Sequence, residues 1–391
     1  MKRLLLPALL FTTLTACTAA PAGTLPAAAP TPTPTSTPAP TAAPAPADAL
    51  TPEEKIGQLF IIRPDALDLT LPQETINDAK ADGVTMLTDA MRETLQAYPV
   101  GGICQFGKNI TDPEQLAQFN ADLQAASRTP LFIAVDEEGG AVARLANHPA
   151  FDLPQYESAA AVGASGDPAD ACAMGQTIGA YLKEYGFNMD FAPDADVNTN
   201  PDNPIIGTRA FSSDAATAAE MAAAAADGLR TSGILPTLKH FPGHGDTAED
   251  SHTALAVTYK TLDELQACEL LPFAADTGLH AVMVGHIAAP NMTGDGTPAT
   301  LSPQLVALIP DAENTLIVTD SLAMDAITAA YTPGEAAVQA LQAGCDVLLM
   351  PNSLPEAYAA VLEAVQNGTI SEERLDRSVN KILLYKQQFA S

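Results

Sequence analysis

Short apolar runs alternate with amphipathic stretches along most of the chain. Eight such runs follow residue 50, and their first residues lie 30 to 57 positions apart, which leaves room for a loop and a helix after each run. The apolar residues within a run are consecutive, as expected for parallel strands that are buried on both faces. The predicted strands are 56–63, 100–106, 131–138, 188–197, 235–241, 281–287, 315–322 and 345–351.

The stretches between these runs predict helices on the outside of the sheet. Thr51, followed by Pro52 and Glu54, is typical of a helix start, and the clearest amphipathic patterns cover 112–127, 171–185, 214–231 and 371–386. Eight strand and helix units predict an α/β protein with a single (β/α)8 barrel over residues 51–391. In this fold the active site lies at the carboxyl ends of the strands, where we expect the following side chains to converge: Asp136, Asp194, Lys239, His240, His286 and Asp320.

The first 50 residues predict export and a tether. Lys2 and Arg3 precede an apolar segment, 4–14, that is too short for a stable membrane span and is typical of a signal peptide. The sequence LTAC at 14–17 resembles a bacterial lipobox, which implies that Cys17 becomes a lipidated N-terminus, although an ordinary signal peptide with an incidental cysteine also fits. Residues 18–50 are almost entirely Ala, Pro, Thr and Ser, so they predict an extended linker. We therefore expect a signal segment, 1–17, whose cleavage leaves a lipid on Cys17, and a disordered linker, 18–50, that tethers the barrel to the outer face of the bacterial cell membrane.

Composition narrows the range of partners. Eighteen basic and 47 acidic residues give a net charge of −29, which repels phosphate backbones and argues against a nucleic-acid partner. Such an excess of acid favours solubility, with steering of a cationic substrate as the alternative. Cys104, Cys172, Cys268 and Cys345 contain no C-x-x-C pair, so we interpret them as buried small hydrophobic residues and leave a disulfide open. We expect a monomer.

The densest polar segment is KHFPGHGDTAEDSH, which runs from Lys239 to His252 and holds three of the six histidines. Its proline and glycines predict a loop. A zinc site would favour a fixed pair such as H-x-H or H-E-x-x-H, which this segment lacks. Acid and base chemistry fits better, because Asp250 can orient His252 as a carboxylate orients a catalytic imidazole.

Three further segments carry candidate chemistry. A buried strand, 315–319, ends at Asp320, which makes that carboxylate the candidate nucleophile, with a helix N-cap as the alternative interpretation. The segment 135–145 contains Asp136 and a pair of glycines, and its carboxylates are suited to grip sugar hydroxyls. Arg209 places a guanidinium, with several N–H donors, at the acid-rich end of the barrel, where it can bind ligand oxygens. Alternatively, it serves there as a structural ion-pair partner.

Together these segments resemble glycoside hydrolase family 3, and within it the single-barrel β-N-acetylhexosaminidases that act on peptidoglycan fragments. The resemblance covers about residues 50–386 and is carried mainly by the Lys239–His252 motif. It implies a retaining exo-β-N-acetylglucosaminidase in which Asp320 is the nucleophile and His252, paired with Asp250, is the acid/base. It also implies that an N-acetylglucosamine (GlcNAc) ring is held, without metal or cofactor, by Asp136, Arg144, Arg209, Lys239 and His240.

Some positions depart from the family pattern and leave the released group undefined. Ala141 and Ala143 stand where larger polar residues are frequent, Ser321 replaces a frequent aspartate, and the first loop, 65–98, is long. Within the family, a phosphorylase that releases GlcNAc 1-phosphate is an alternative, because a histidine acid/base repels phosphate less than a carboxylate does. A metal-dependent hydrolase and a non-catalytic sugar-binding lipoprotein are the remaining alternatives, and the first would use His240, His244, His252 and His286 as ligands.

Overall fold

The described part of the chain is built around one eight-stranded parallel sheet. The computed structural model describes residues 46–249, 254–276 and 278–390. The strands, numbered β1 to β8, are Phe60–Ile62, Gly102–Cys104, Phe132–Val135, Met189–Asp190, Leu235–Phe241, Ala281–Val284, Leu316–Thr319 and Leu348–Leu349. Their spatial order is β7-β6-β5-β4-β3-β2-β1-β8, and a parallel bridge between Val318 and Val347 joins the two edges. The sheet is therefore a nearly closed barrel, and the (β/α)8 prediction is confirmed.

Helices surround this barrel. The longer ones are Pro52–Gln58, Asp89–Ala97, Pro113–Ala126, Pro168–Glu184, Ala215–Thr231, Pro333–Ala343, Leu354–Gln366 and Glu372–Phe389. Shorter helices are Gln73–Asn77, Ala159–Gly163, Leu262–Ala267, Leu271–Ala275, Pro290–Thr293, Pro303–Val306 and Asp325–Thr328. The four amphipathic stretches predicted from sequence all form helices, with ends that differ by at most three residues.

The first predicted strand is wrong at its start. Residues 52–58 form a helix that begins at a capping box, in which the Thr51 hydroxyl accepts from the Glu54 N–H and Glu54 accepts from the Thr51 N–H. Ile56 is fully buried on this helix, and the strand begins only at Phe60. A short apolar run cannot distinguish a buried helical turn from a strand, which explains the error.

Two helices beside β4 and β5 pack unusually closely. A Cβ atom on Gly175 would lie 2.2 Å from the Ala225 carbonyl oxygen, and one on Gly228 would lie 2.2 Å from the Cys172 carbonyl oxygen. Glycine is therefore required where helices Pro168–Glu184 and Ala215–Thr231 cross, since any side chain would push their backbones apart.

The four cysteines of the barrel carry no disulfide, and two of them are buried. Cys104 and Cys345 are buried as expected, whereas Cys172 and Cys268 are partly exposed, and all four are free thiols. Among the described residues no helix is both long and apolar enough to cross a membrane. Cys17 and most of the linker, 18–45, lie outside the described residues.

The C-terminal helix Glu372–Phe389 buries one lysine against the barrel without a carboxylate partner among the described residues. The Lys386 ammonium donates to Gln58 Oε1 at 2.6 Å and lies 5.3 Å from the centroid of the Phe132 ring. Burial lowers the pKa of Lys386 to about 7, because the protein interior solvates the charged form poorly. The folded state therefore favours a neutral amine at a pH where the unfolded chain is still protonated.

We predict that Lys386→Met makes stability less dependent on pH. Since the unfolded chain binds more protons than the folded one between about pH 7 and 10, wild-type stability gains from this group as pH rises. Between pH 6 and pH 9, the unfolding free energy of wild type should therefore rise by roughly 2 to 3 kcal/mol more than that of the methionine variant. Urea denaturation at both values measures this. The exposed Lys183→Met is the matched control and should show no such trend; the same trend in both variants would contradict the prediction.

Candidate active site

A cleft of about 550 Å³ opens at the carboxyl ends of the barrel strands. It brings together most of the residues predicted from sequence, which come from four different strands or the loops that follow them: Asp136, Arg144, Arg209, Lys239, His240 and Asp320. Asp250 and His252, the predicted dyad, lie outside the described residues. The predicted nucleophile and all five predicted sugar-binding residues thus line one cavity.

Asp320 follows directly after β7. Its backbone N–H donates to the Val284 carbonyl of β6 at 2.9 Å, and its Oδ1 accepts from the Ser321 N–H at 2.7 Å. The next helix, Asp325–Thr328, begins after Met324 rather than at Asp320. The helix N-cap interpretation is therefore wrong, and the Asp320 carboxyl group lines the cleft.

Lys239 lies near the centre of the charge arrangement. Its ammonium donates to Asp136 Oδ1 at 2.7 Å and lies 2.6 Å from Glu138 Oε1, and the side chain is 3% exposed. Burial would lower the pKa of Lys239, but the two carboxylates outweigh it and raise the pKa above its usual range. For Asp136 burial raises the pKa, and Lys239 and Arg144 together lower it below its ordinary value. Both groups are charged at neutral pH, and Asp136 retains acceptor capacity for a ligand.

Arg209 forms a bidentate ion pair with Glu138. Nε and Nη2 donate to the two carboxylate oxygens at 2.8 and 2.7 Å, and Nε lies 3.5 Å from Asp194 Oδ2. Burial alone would raise the pKa of Glu138, whereas Arg209 and then Lys239 lower it strongly. The structural ion-pair interpretation of Arg209 is thus confirmed, and the same side chain also lines the cleft.

Asp196 fixes the two histidines that begin the glycine-rich loop. Its Oδ2 lies 2.8 Å from His240 Nδ1, and its Oδ1 accepts from the His244 backbone N–H. Burial lowers the pKa of His240, but Asp196 outweighs it and the pKa is raised. Burial and the neighbouring His240 lower the pKa of His244, whose Nδ1 lies 2.6 Å from Thr247 Oγ1. The two rings are therefore held in different charge environments.

Glu137 faces away from the cleft and holds the loop that carries Asp136 and Arg144. It accepts from the backbone N–H groups of Arg144, Leu145 and Ala146 and from the Tyr181 hydroxyl. The turn is completed by two glycines at φ +82° and +66°, Gly139 and Gly140, in a region that other residues rarely adopt. The expectation that the carboxylates of this segment grip sugar is wrong for Glu137, which serves the backbone instead.

His286 does not line the cleft, although the sequence predicted that it would. It is fully buried, with Nδ1 2.7 Å from Thr300 Oγ1 and Nε2 2.9 Å from the Ser321 carbonyl oxygen. It therefore supports the turn that follows Asp320 from below. Asp194, also buried, lies behind Arg209 rather than in the cleft lining.

Sequence reasoning missed one wall of the cleft. Arg63, Asn77 and Phe106 line the cavity, and they come from the ends of β1 and β2 and from the long first loop. Arg63 and Phe106 are the last residues of two predicted strands, so the criterion that selected Asp320 could also have selected them.

Three residues beside the cleft are arranged as metal ligands could be, but the Arg209 guanidinium already lies next to them. Potential ligand atoms of Asp194, Asp196 and His240 lie within 4.8 Å of one another. The Arg209 guanidinium lies 3.5 Å from Asp194 Oδ2 and 3.4 Å from His240 Nε2. The positive charge that these groups attract is thus supplied by the protein itself.

We predict that Arg209→Met destabilises the fold far more than Arg144→Met. Loss of Arg209 leaves Glu138 and Asp194 buried without their main cation, which costs about 3 to 5 kcal/mol. Arg144 is one-third exposed and lies 3.6 Å from Asp136, so its loss should cost about 1 kcal/mol or less. Urea denaturation at pH 7 measures both, and equal losses would contradict the assignment of Arg209 as the cation of this cluster.

The chain is similar to known proteins over nearly its whole described length. Residues 51–384 match the model of the glycosyl hydrolase family 3 N terminal domain. Beta-hexosaminidase LpqI of Mycobacterium tuberculosis is 32% identical over 366 residues, which cover 86% of this chain and 83% of that protein. Beta-hexosaminidase A of Pseudoalteromonas piscicida is also 32% identical, over 78% of this chain and 56% of its own length, so the chain spans little more than half of that relative.

The solved structures agree with the sequence comparison. A glycoside hydrolase family 3 β-N-acetylglucosaminidase from Paenibacillus sp. str. FPU-7 is 37% identical with a TM-score of 0.77, and the match covers 87% of this chain and 63% of that one. The barrel, the cleft at the strand ends and these matches lead to one conclusion: the chain belongs to glycosyl hydrolase family 3.

Proposed function

We propose that the protein is a retaining exo-β-N-acetylglucosaminidase that hydrolyses terminal β-linked GlcNAc from peptidoglycan fragments or related glycans. The observation that carries the proposal is the shared cleft, in which Asp320 faces the same cavity as the buried Lys239, Asp136, Glu138 and Arg209 cluster. A carboxylate beside fixed donors and acceptors is what a sugar-cleaving site needs, since one group reacts while the others hold hydroxyls. The β-hexosaminidase names of the relatives agree with this chemistry.

The proposed reaction has two steps. Asp320 attacks the anomeric carbon while His252 gives its proton to the departing glycosidic oxygen, so that the sugar becomes an ester of Asp320. His252, now a base, takes a proton from water, and the water oxygen displaces Asp320 and releases GlcNAc with its original configuration. Asp250 orients the imidazole and stabilises its charged form.

Binding of the sugar falls to the residues deeper in the cleft. Asp136 offers an ionised acceptor, and Lys239 presents donors that are already aligned by two carboxylates. His240, Arg144 and Arg209 complete the set that we propose for the hydroxyls and the acetamide. Because Lys239 and Arg209 are held by buried ion pairs, they change position little when the sugar enters.

The cellular setting is also part of the proposal. Cys17 would carry the lipid, residues 18–50 would act as a spacer, and the barrel would act as a monomer on small glycans outside the cell membrane. Globomycin, which blocks lipoprotein signal cleavage, should then leave the precursor uncleaved.

We predict that a slow fluorinated GlcNAc donor labels Asp320 covalently, because a retaining path passes through an ester. Mass spectrometry of the digested protein should place the sugar on the peptide that contains Asp320. Asp320→Ala should lose nearly all turnover and all labelling, whereas the exposed Asp325→Asn should keep both. A label on Asp136, or a first product of α configuration, would contradict the mechanism.

The same preparation distinguishes hydrolysis from phosphorolysis. With an aryl β-GlcNAc substrate in phosphate buffer, the hydrolase should release GlcNAc. Release of GlcNAc 1-phosphate would support the phosphorylase alternative, and loss of turnover after removal of bound metal would support the metal-dependent one.

We predict that His252→Ala slows substrates with poor leaving groups far more than those with activated phenols. An acid assists only where the departing oxygen needs a proton, so the activated substrates should lose less of their kcat/KM. Asp250→Asn should fall between wild type and His252→Ala, because it keeps the ring in place but removes the charge. A series of aryl β-GlcNAc substrates with graded phenol acidity measures this. Equal losses along the series would instead make His244 or a carboxylate the acid.

A further inference from the structure

One wall of the cleft carries a cation that no step above uses. Arg63 directly follows β1, Phe106 lies two residues beyond β2, and Asn77 ends the helix Gln73–Asn77 of the long first loop. All three side chains line the cavity. Of the three, Asn77 belongs to the long first loop, 65–98, and the other two flank that loop at the ends of β1 and β2.

Arg63 differs from the other cations of the cleft in its partners. Its Nη1 donates to the neutral Asn77 Oδ1, and its guanidinium carbon lies 4.8 Å from the Phe106 ring centroid. Among the described residues no carboxylate lies within 4 Å of it, whereas Lys239 and Arg209 are each paired with at least two. Burial lowers the pKa of Arg63 more than the surrounding charges raise it, which indicates a partly desolvated cation that its surroundings do not fully compensate.

A second guanidinium shares the same ring. The Arg144 guanidinium carbon lies 5.9 Å from the Phe106 centroid, and its buried Nε makes no hydrogen bond within the described residues. Among the described residues, Asp136, at 3.6 Å, is the one carboxylate within 4 Å of Arg144, and it is already bound by Lys239. Two guanidiniums therefore border one stretch of an otherwise strongly acidic protein, and both have donors left for a ligand.

The orientation of Arg63 is fixed by neutral contacts. Asn77 Nδ2 donates at 2.6 Å to Asn352 Oδ1, three residues beyond β8, so the acceptor that holds Arg63 is itself held. The aromatic ring favours a guanidinium stacked on its face. A planar fork held in this way is suited to bidentate binding of a carboxylate.

Strand order indicates which part of the glycan meets Arg63. Around the barrel, β8 lies between β7, which carries Asp320, and β1, which carries Arg63. Asp136, Lys239 and His240 occupy the opposite stretch, β3 to β5, where the GlcNAc ring is proposed to lie. The wall of β8 and β1 is thus left for the residue attached to the anomeric carbon.

We infer that Arg63, held by Asn77 and Phe106, binds a carboxylate on the sugar residue that is released, so that the enzyme prefers acidic glycans. This inference rests on the proposed function, because it requires a GlcNAc ring in the deeper site. It assigns specificity for the released group to the first loop and to β1.

The test uses three disaccharides with the same β-1,4-linked GlcNAc. Their second residue is N-acetylglucosamine, N-acetylmuramic acid, or the methyl ester of that acid, which removes only the charge. For wild type, kcat/KM should be highest for the acid. Arg63→Met should lower the ratio of acid to ester about tenfold, as expected when a charged hydrogen-bond donor is lost. Arg63→Lys should restore part of the ratio, since it keeps the charge but not the fork.

Controls separate this inference from a general loss of activity. Arg128→Met removes the same charge from a side chain that is 75% exposed, and it should leave the ratio unchanged. Equal kcat/KM for acid and ester in wild type would overturn the inference, and this comparison needs no variant to fold. An unchanged ratio in Arg63→Met would also overturn it.

Failure of the proposed function would look different. If none of the three disaccharides were cleaved, the hydrolase proposal would fail, and calorimetric binding of the acid and the ester to wild type and Arg63→Met would still test Arg63. Tighter binding of the acid that disappears in Arg63→Met would support the inference. Equal binding of acid and ester would overturn it.

Discussion

The ammonium of Lys239 between Asp136 and Glu138 is the interaction on which the rest of the site depends. It places a positive charge in the interior of the barrel, which is stable only because two carboxylates compensate for its lost hydration. Glu138 in turn needs Arg209, and Arg209 lies beside Asp194 and His240. Each buried charge is stable only because an opposite charge lies beside it, so the loss of one residue destabilises the others. A site built in this way presents oriented donors and acceptors before any sugar arrives.

The barrel supplies the positions at which these charges meet. Neighbouring parallel strands end at the same edge, so residues far apart in sequence, such as Asp136 and Lys239, become partners. The nucleophile candidate is attached to this framework rather than to a loop, because the Asp320 N–H is bonded to β6 and His286 supports the following turn. In our inference, specificity for the released group falls to the first loop and to Arg63 after β1.

Sequence predicted the strands well because burial on both faces leaves a consecutive apolar signal. The predicted strand 235–241 matches β5, whereas the run at 56 begins on a helix whose buried face is equally apolar. Strand ends also predicted most of the polar residues that meet in the cleft, although His286 and Asp194 lie outside its lining. Sequence could not show that Glu137 binds backbone N–H groups while Glu138 binds Arg209, because the strand that holds them, Glu137–Gly139, is too short for its alternation to be recognised. Arg63 was missed because a single arginine after a strand has no motif around it, and its significance comes from partners that only the fold brings near.

The Glu137 carboxylate joins the sugar-binding loop to the outer layer of the barrel through the Tyr181 hydroxyl. Tyr181 belongs to the helix Pro168–Glu184, whose distance from its neighbour is set by the glycines at 175 and 228. The positions of Asp136 and Arg144 therefore depend on the distance between these two helices on the outside of the barrel. Substitutions in these two helices, which contact no substrate, can therefore change the affinity for the sugar. Sequence variation in the helix pair among relatives affects sugar binding as well as packing.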